Sequence, residues 1–258
     1  MKKQFIIMMV AATILVATGI SKGALMGYVT TGTEVVWTNF DTGAQTSLGP
    51  SGIDDIRGLD TSPIDGTLYA SDDNGGLWTV NTSTGIGSFI GNMGRRIESL
   101  SFAPDGTLYA IHRDSHTLKQ INTSTAVATT IGSPWPYDAL AFAISSTGRA
   151  IAWDLFSASE PGPLFEIDLT DGSTTLLGQV DTFFGGFDFA PDDVLYGWRK
   201  YDSQNNLYSI DVDTLNVTFL RSFSQGYEGG RGSLAIIPEP ATLILLGLGG
   251  LMLRKRKH

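Results

Sequence analysis

The sequence predicts an all-β protein, a β-propeller most simply built from five four-stranded blades, on three observations. A segment of just over 40 residues recurs along the chain. Each copy contains four short runs of apolar or alternating residues, and the first and last copies are incomplete in complementary ways. Four strands in such a period are typical of a propeller blade. No stretch between the two ends has the 3.6-residue period of an amphipathic helix, so almost no helix is expected there.

The copies are clearest at residues 58–91 and 99–132. Each has an apolar strand, an Asp-Gly turn, a Leu-Tyr-Ala strand, a third strand followed by Asn-Thr-Ser-Thr, and a last strand that ends in Ile-Gly. Asp-Gly favours a turn because glycine adopts positive φ freely and aspartate bonds its own backbone. Weaker copies begin at Ala139 and Gly186, with Leu140 and Phe187 aligned to Leu59 and Leu100. The turns that begin at Thr42, Thr84, Thr125, Asp171 and Thr214 are 42, 41, 46 and 43 residues apart.

The two ends of the repeat predict how the ring closes. Residues 26–49 supply three strands of a unit without its leading strand, and residues 232–237 supply a leading strand with nothing after it. Joining them completes a fifth blade and removes the exposed edges of an open sheet. An open β-solenoid, or a six-bladed ring with one degenerate blade, is the alternative. The units resemble the Leu-Tyr-Ala…Asp-x-x-Thr-Gly blades of bacterial exported propellers, a resemblance that concerns structure and implies no activity.

The N-terminal residues 1–23 have the pattern of a secretory signal peptide that forms a helix. Lys2 and Lys3 precede an apolar run over residues 5–16, and small residues follow it. This order of charged, apolar and small residues is typical of signal peptides. Cleavage is expected after Gly23, with a site after Gly19 as the alternative. Sec-type export machinery is therefore an expected partner.

The last 21 residues combine a Pro-Glu-Pro tripeptide, a short apolar run over residues 241–253 and a basic end. This order strongly resembles the PEP-CTERM sorting signal, which implies processing by the membrane enzyme exosortase. The apolar run gives only about 20 Å of helix, which is short for a hydrocarbon core of about 30 Å unless the basic residues snorkel to the headgroups. A permanent membrane anchor without processing is the alternative. The sorting residues are Pro238, Glu239, Pro240, Arg254, Lys255, Arg256 and Lys257.

The division of the chain is thus a signal peptide at residues 1–23, a propeller body at 24–237 and a sorting signal at 238–258. The whole chain has 17 Lys and Arg against 26 Asp and Glu, a formal charge of −9. Without the seven basic residues of the two ends and Glu239, the body keeps 10 basic and 25 acidic residues, a formal charge of −15. Such a surface disfavours nucleic acid and anionic lipid as partners. The absence of cysteine excludes disulfides and thiolate metal sites.

Candidate site residues lie just before the leading strands, where the loops of a propeller converge on its channel. Arg57, Glu98 and Asp138 each stand two residues before an aligned strand position and are expected to form a polar rim. Glu98 and Asp138 are the candidates for a carboxylate pair of the kind that glycosidases use as acid and base. Solvated charges at strand ends are the simpler explanation, and nothing around them resembles glycosidase motifs. Trp135 and Tyr137, on the same rim, are candidates for stacking on sugar rings, with packing between blades as the alternative.

No metal site or cofactor is expected. His112 and His116 are four residues apart, but they flank a turn between strands, where this spacing does not bring side chains together. Residues 72–76 lack the alternating carboxylates and the distal glutamate of a calcium loop, so a tight hairpin with at most weak divalent binding is expected.

The leading functional hypothesis is an exported, exosortase-sorted protein of the cell surface or extracellular matrix, with a non-catalytic propeller that binds glycan or protein. Extracellular polysaccharide and surface proteins are the expected partners. One alternative is a hydrolase or lyase that acts on polysaccharide through Glu98 and Asp138. Another is a structural protein that assembles with copies of itself.

Overall fold

A computed structural model describes residues 24–94, 96–154, 162–201, 204–224 and 232–237. The predicted signal peptide and the predicted sorting tail, with the helices expected in them, lie outside these residues. The described residues form twenty β-strands and no helix. None of them therefore forms a helix long and apolar enough to cross a membrane.

The strands form five antiparallel four-stranded sheets, which confirms the five-bladed propeller. Blade 1 combines both ends of the described chain, in the order β20 (Leu234–Ile237), β1 (Met26–Thr30), β2 (Glu34–Asn39) and β3 (Gln45–Pro50). Blade 2 contains β4 (Ile56–Thr61), β5 (Leu68–Asp72), β6 (Gly76–Val80) and β7 (Gly87–Asn92). Blade 3 contains β8 (Ile97–Phe102), β9 (Leu108–His112), β10 (Thr117–Ile121) and β11 (Ala128–Ile131). Blade 4 contains β12 (Ala139–Ile144), β13 (Ala150–Asp154), β14 (Gly162–Ile167) and β15 (Thr174–Val180), and blade 5 contains β16 (Gly186–Phe189), β17 (Leu195–Tyr201), β18 (Gln204–Ile210) and β19 (Val217–Phe223).

The ring closes as the two partial repeats predict. Strand β20 pairs antiparallel with β1, and Met26 is the partner of Ile237. Five separate apolar clusters hold the ring, one at each junction between neighbouring blades. The cluster between blades 5 and 1 contains Val29, Trp198 and Leu234, all at most 1% exposed. The closing junction is therefore packed like the other four, which excludes an open solenoid for this body.

The Asn-Thr-Ser-Thr repeat has a structural role. The Oδ1 atom of Asn81 accepts hydrogen bonds from the backbone N–H groups of Ser83 and Thr84 at 2.9 and 3.1 Å. Such a side chain stabilises a turn by satisfying its backbone donors. Every blade has an equivalent residue in the turn between its third and fourth strands: Asn39, Asn81, Asn122, Asp168 and Asp211.

The sequence alignment of the fourth blade was wrong by two residues. The register pairs Leu59 with Ala70 and Leu100 with Ala110, and in blade 4 the equivalent pair is Phe142 with Ala152. Leu140 instead occupies the β-bulge of its strand, as Arg57 and Glu98 do in theirs. Because Leu140 and Phe142 are both apolar, the sequence could not show which of them aligns with Leu59 and Leu100. The length of the hairpin that follows the strand decides between the two alignments.

Candidate functional site

The two faces of the propeller carry different candidate sites. The face at which the innermost strands β4, β8, β12, β16 and β20 begin is called the upper face here. The opposite face, with the hairpin loops at residues 62–67, 103–107, 145–149 and 190–194, is called the lower face. All rim residues predicted from the sequence belong to the upper face.

The structure brings Glu98 and Asp138 together around an arginine. Arg113 donates two hydrogen bonds to Asp138, from Nε and from Nη2, each 3.0 Å long. Its Nη1 atom donates to Oε1 of Glu98 at 3.3 Å. The Glu98 side chain is 2% exposed and the Asp138 side chain 19% exposed. The guanidinium therefore joins the two side chains in one ion cluster, with a bidentate contact to Asp138 and a single contact to Glu98.

Replacing Arg113 with methionine is expected to lower the free energy of unfolding by about 2 kcal/mol. Removing one partner of a buried ion pair leaves an uncompensated charge, which costs about 3–5 kcal/mol in full burial and less at this partly open rim. Urea unfolding measures the loss. The matched control is Arg96→Met, because the Arg96–Asp114 pair is 40% and 55% exposed and is expected to contribute under 1 kcal/mol. Equal losses in the two variants would contradict this account of the ion cluster.

Arg57, the third predicted rim residue, forms a separate ion cluster. Its Nη2 atom lies 2.5 Å from Oδ2 of Asp55 and 2.9 Å from Oδ1 of Asp73. Asp55 has a φ of 52°, a conformation that is uncommon for a residue with a side chain. The upper rim thus contains at least two arginine–carboxylate clusters, one on blade 2 and one between blades 3 and 4.

The two rim aromatics pack on blade 4. Trp135 is 6% exposed and donates a hydrogen bond from Nε1 to the carbonyl oxygen of Gly172 at 2.7 Å. Tyr137 stacks on Phe165 with ring centroids 4.5 Å apart and an interplanar angle of 21°. Trp135 therefore occupies the packing position that the sequence offered as its alternative role, and Tyr137 is only half-buried.

The polar side chains of the two motifs that resembled metal sites have hydrogen-bond partners within their own hairpins. The Nδ1 atom of His112 accepts a hydrogen bond from the backbone N–H of Ser115 at 3.1 Å, in the turn between β9 and β10. Asp72 accepts from the N–H of Gly76 and from Nε1 of Trp78, at 2.8 and 2.7 Å. Among the described residues no group of three or more His, Asp or Glu side chains is arranged to hold a metal ion.

The lower face contains a cavity of about 390 Å³ at the mouth of the channel. Four of the five blades contribute their inner hairpin loops to it, and blade 1 contributes Ile236. Apolar groups form most of its wall: Pro63, Phe102, Pro104, Ile144, Phe189, Ala190, Pro191 and Ile236. Two carboxyl groups, those of Asp60 and Asp188, also line it, and both residues are at most 8% exposed.

Each of these carboxyl groups connects two blades. Oδ2 of Asp60 accepts the backbone N–H of Phe102, in the next blade, at 2.6 Å. Oδ2 of Asp188 accepts the N–H of Ile236 at 2.5 Å. Ser101 occupies the same position in blade 3, and its hydroxyl oxygen accepts a backbone N–H of blade 4 at 2.9 Å. Asp60, Ser101 and Asp188 thus each link their blade to the next one by a hydrogen bond inside the channel.

Burial changes the protonation of both aspartates. It raises the pKa of Asp60 to about 6, although hydrogen bonds from Phe102, Thr61 and Ser101 favour the charged form. Burial, followed by the negative charge of Asp60, raises the pKa of Asp188 well above its ordinary value. Two carboxyl groups that interact in this way titrate as a pair. The pocket therefore presents a polar, titratable floor beneath an apolar rim.

Sequence reasoning missed this pocket. The signal was present as a charged residue in the middle of an apolar leading strand, in Leu59-Asp60-Thr61 and Phe187-Asp188-Phe189. A carboxyl group at a position that faces the channel needs buried hydrogen-bond donors, and it is a candidate functional group for that reason.

The fold and the tail together define the class of protein: a five-bladed propeller that carries a sorting signal. A model of the PEP-CTERM protein-sorting motif matches residues 237–257. This motif marks the chain as an exported protein that exosortase processes. It confirms the sorting signal expected from the Pro-Glu-Pro tripeptide, the apolar run and the basic end.

Comparison with solved structures shows the fold. The protein is similar to a chain in the crystal structure of a nidogen/laminin complex, with a TM-score of 0.60 and 10% sequence identity, over 83% of this chain and 98% of that one. It is also similar to a chain of hydrazine synthase from Kuenenia stuttgartiensis, with a TM-score of 0.50 and 15% identity, over 74% of this chain and 62% of that one. No curated protein matches the chain by sequence. At sequence identities this low, the similarity shows a common fold and implies no common activity.

Proposed function

We propose that the protein is a non-catalytic binding module of the cell surface or extracellular matrix, and that it binds glycan in the lower-face pocket. In this proposal the signal peptide directs Sec-type export, the apolar run inserts in the membrane, and exosortase then releases the body at the tail. The observation that supports binding is the pocket itself, with proline and phenylalanine groups around two buried carboxyls. Apolar rings pack against the C–H faces of sugars, and carboxylates accept hydrogen bonds from their hydroxyl groups.

The proposal is tested by measuring binding of the body, residues 24–237, to the extracellular polysaccharide of the producing organism. We expect saturable binding without release of new reducing ends. Phe189→Ala removes a half-buried ring of the pocket, and about 1.4 kcal/mol of lost contact corresponds to tenfold weaker binding. Phe89→Ala is the matched control, because this ring is 57% exposed on the outer strand of blade 2, away from the pocket.

The outcomes separate the hypotheses. Binding that Phe189→Ala weakens and Phe89→Ala leaves unchanged supports the pocket as a glycan site. Equal binding by both variants and the unmodified body places the glycan elsewhere. No binding at all removes the glycan hypothesis and leaves a protein partner.

The hydrolase alternative receives less support from the upper rim. Glu98 and Asp138 both accept hydrogen bonds from Arg113, so their carboxyl groups are engaged in a structural ion cluster. Release of reducing ends in the binding experiment would nevertheless favour this alternative. Loss of that release in both Glu98→Gln and Asp138→Asn would then assign the activity to the pair.

Self-assembly is supported by one feature of the outer strands. Phe89, Leu176 and Phe219 lie on the outermost strands of blades 2, 4 and 5 and are each more than half exposed. Outermost strands have unpaired edges, at which apolar side chains favour association. Sedimentation that depends on protein concentration, and that becomes independent of it in Phe219→Ser, would support this role.

A further inference from the structure

Both ends of the propeller body lie at the lower face. Strand β20 runs toward this face and ends at Ile237, whose pairing partner is Met26 at the start of β1. The chain that precedes β1 and the chain that follows β20 therefore attach to neighbouring positions in one sheet. The pocket is on the same face, and Ile236 is one of its lining residues.

The connection to the sorting tail is very short. The motif match begins at residue 237, which is also the last residue of β20. Only Pro238, Glu239 and Pro240 separate Ile237 from the apolar run that begins at Ala241. At about 3.6 Å per residue, four steps of fully extended chain span about 14 Å. The other end is equally close, because the predicted signal peptide ends at Gly23 and β1 begins three residues later.

We infer that the unprocessed protein stands on the membrane on its lower face, with the pocket mouth toward the lipid and the upper rim away from it. The inference rests on the proposed insertion of the apolar run, and it assigns a membrane-facing surface to the body. A connection of about 14 Å cannot reach around the body to the upper face, because the six-residue innermost strand β4 alone spans about 20 Å. The lower face is therefore the part of the body that meets the membrane, where exosortase acts.

The composition of this face indicates that the tail alone holds it there. Its loops and turns carry many carboxylates, which anionic headgroups repel within a Debye length of about 8 Å. Three exposed aliphatic side chains on the same loops are too few to offset this repulsion: Ile64, Ile86 and Val127. The carboxylates are those of Asp41, Asp65, Asp105, Asp168, Asp171, Asp192, Asp193, Asp211 and Asp213. Cleavage by exosortase then releases the body from the membrane, and the same step makes the pocket mouth accessible.

The orientation can be tested with single introduced cysteines. Because the natural chain contains no cysteine, a thiol-reactive label attaches only at the introduced position. Ser83→Cys places a thiol on an exposed turn of the lower face, and Asn74→Cys places one on an exposed turn of the upper face of the same blade. Each full-length variant is labelled with a thiol-reactive fluorophore and reconstituted in phosphatidylcholine vesicles in which a fraction of the headgroups carry a nitroxide. The signal measured is quenching, and vesicles without nitroxide provide the reference.

We expect quenching at Ser83→Cys that is at least threefold stronger than at Asn74→Cys. Equal quenching, or stronger quenching at Asn74→Cys, overturns the orientation.

Flotation of the vesicles provides the separate readout. A protein that does not float with lipid shows that the tail does not insert, and this result overturns both the proposed insertion and the inference that rests on it. A variant with a flexible 20-residue spacer after Ile237 is expected to lose the difference between the two positions while it still floats.

Discussion

A chain that ends at residue 231 is expected to lose about 5 kcal/mol of its free energy of unfolding relative to one that ends at Ile237. Strand β20 buries Leu234 and Ile236, at 1% and 5% exposure, and each such side chain contributes about 1.5–3 kcal/mol. Its loss also removes the N–H donor of Ile236 from the buried carboxyl of Asp188. A loss of this size is a large fraction of the stability of an ordinary domain.

Urea unfolding followed by circular dichroism measures this loss. We expect the shorter chain to unfold at a much lower urea concentration, or over a broad range without a single cooperative transition, because the ring then has two open edges. An unchanged midpoint and slope would show that the ring does not depend on the C-terminal strand.

A single substitution tests the same junction in the full chain. A Cβ at Gly27 would lie far inside van der Waals contact with the carbonyl oxygen of Ala235, so Gly27→Val is expected to force β1 and β20 apart. The matched control is Gly66→Asn, because nothing lies near that position and asparagine tolerates its φ of 74°. We expect a loss of about 3 kcal/mol in the first variant and under 1 kcal/mol in the second.

The second large effect is on pH dependence: the protein is expected to become less stable as the pH rises from about 4 to about 6. Asp60 has a folded-state pKa of about 6 and an unfolded value near 3.8, so the folded chain binds more protons in this window. The stabilisation is fully present below about pH 4 and is lost as the pH rises through 6. A difference of this size corresponds to about 3 kcal/mol. Asp188, whose pKa is also raised, changes stability in the same direction.

The exposed turn carboxylates have the opposite effect at lower pH. Hydrogen bonds from Thr170 lower the pKa of Asp168, and hydrogen bonds from Thr214 lower that of Asp211. Their stabilisation is present above about pH 4 and is lost as the pH falls through the lowered pKa values. Stability is therefore expected to be greatest near pH 4 to 5.

Thermal unfolding at pH 4.5 and 6.5 measures the difference. Asp60→Asn, which does not titrate, is expected to reduce the difference between the two pH values by about half or more. Asp65→Asn is the matched control: this residue is exposed in the loop that follows β4, hydrogen bonds from Ser62 and Thr67 lower its pKa, and its titration lies below the window. A melting temperature that rises between pH 4.5 and 6.5 in the unmodified protein contradicts the assignment of the buried pair.

Parts of the architecture were readable because the repeat is local. The turn residues from Asn39 to Asp211 recur at nearly constant spacing, and each accepts hydrogen bonds from groups only two or three residues away. The leading strand at residues 234–237 lacked partners in its own neighbourhood, which predicted its pairing with the N-terminal strands. The register of blade 4 was predicted wrongly because Leu140 and Phe142 are both suited to a buried position.

The candidate site was less readable because its contacts join distant segments. The sequence grouped Glu98 with Asp138, but the arginine between them comes from a different turn and shows no relation to either by spacing. Trp135 is of a residue type that stacks on sugars, and only the position of Gly172, in the turn between β14 and β15, shows that its indole packs within the protein.

The sequence by itself determined the class of fold and the sorting signal and favoured five blades, because periodic turns and an ordered tail are encoded in consecutive residues; the structure then decided between five blades and the alternatives. The tertiary structure decided where the polar groups of the channel lie. Asp60 and Asp188 are 128 positions apart in the chain, yet ring closure places them at one channel mouth, where burial raises the pKa of both and the negative charge of Asp60 raises that of Asp188 further. It also decided that this mouth opens beside Ile237, because the direction of the closing strand fixes the face from which the tail departs.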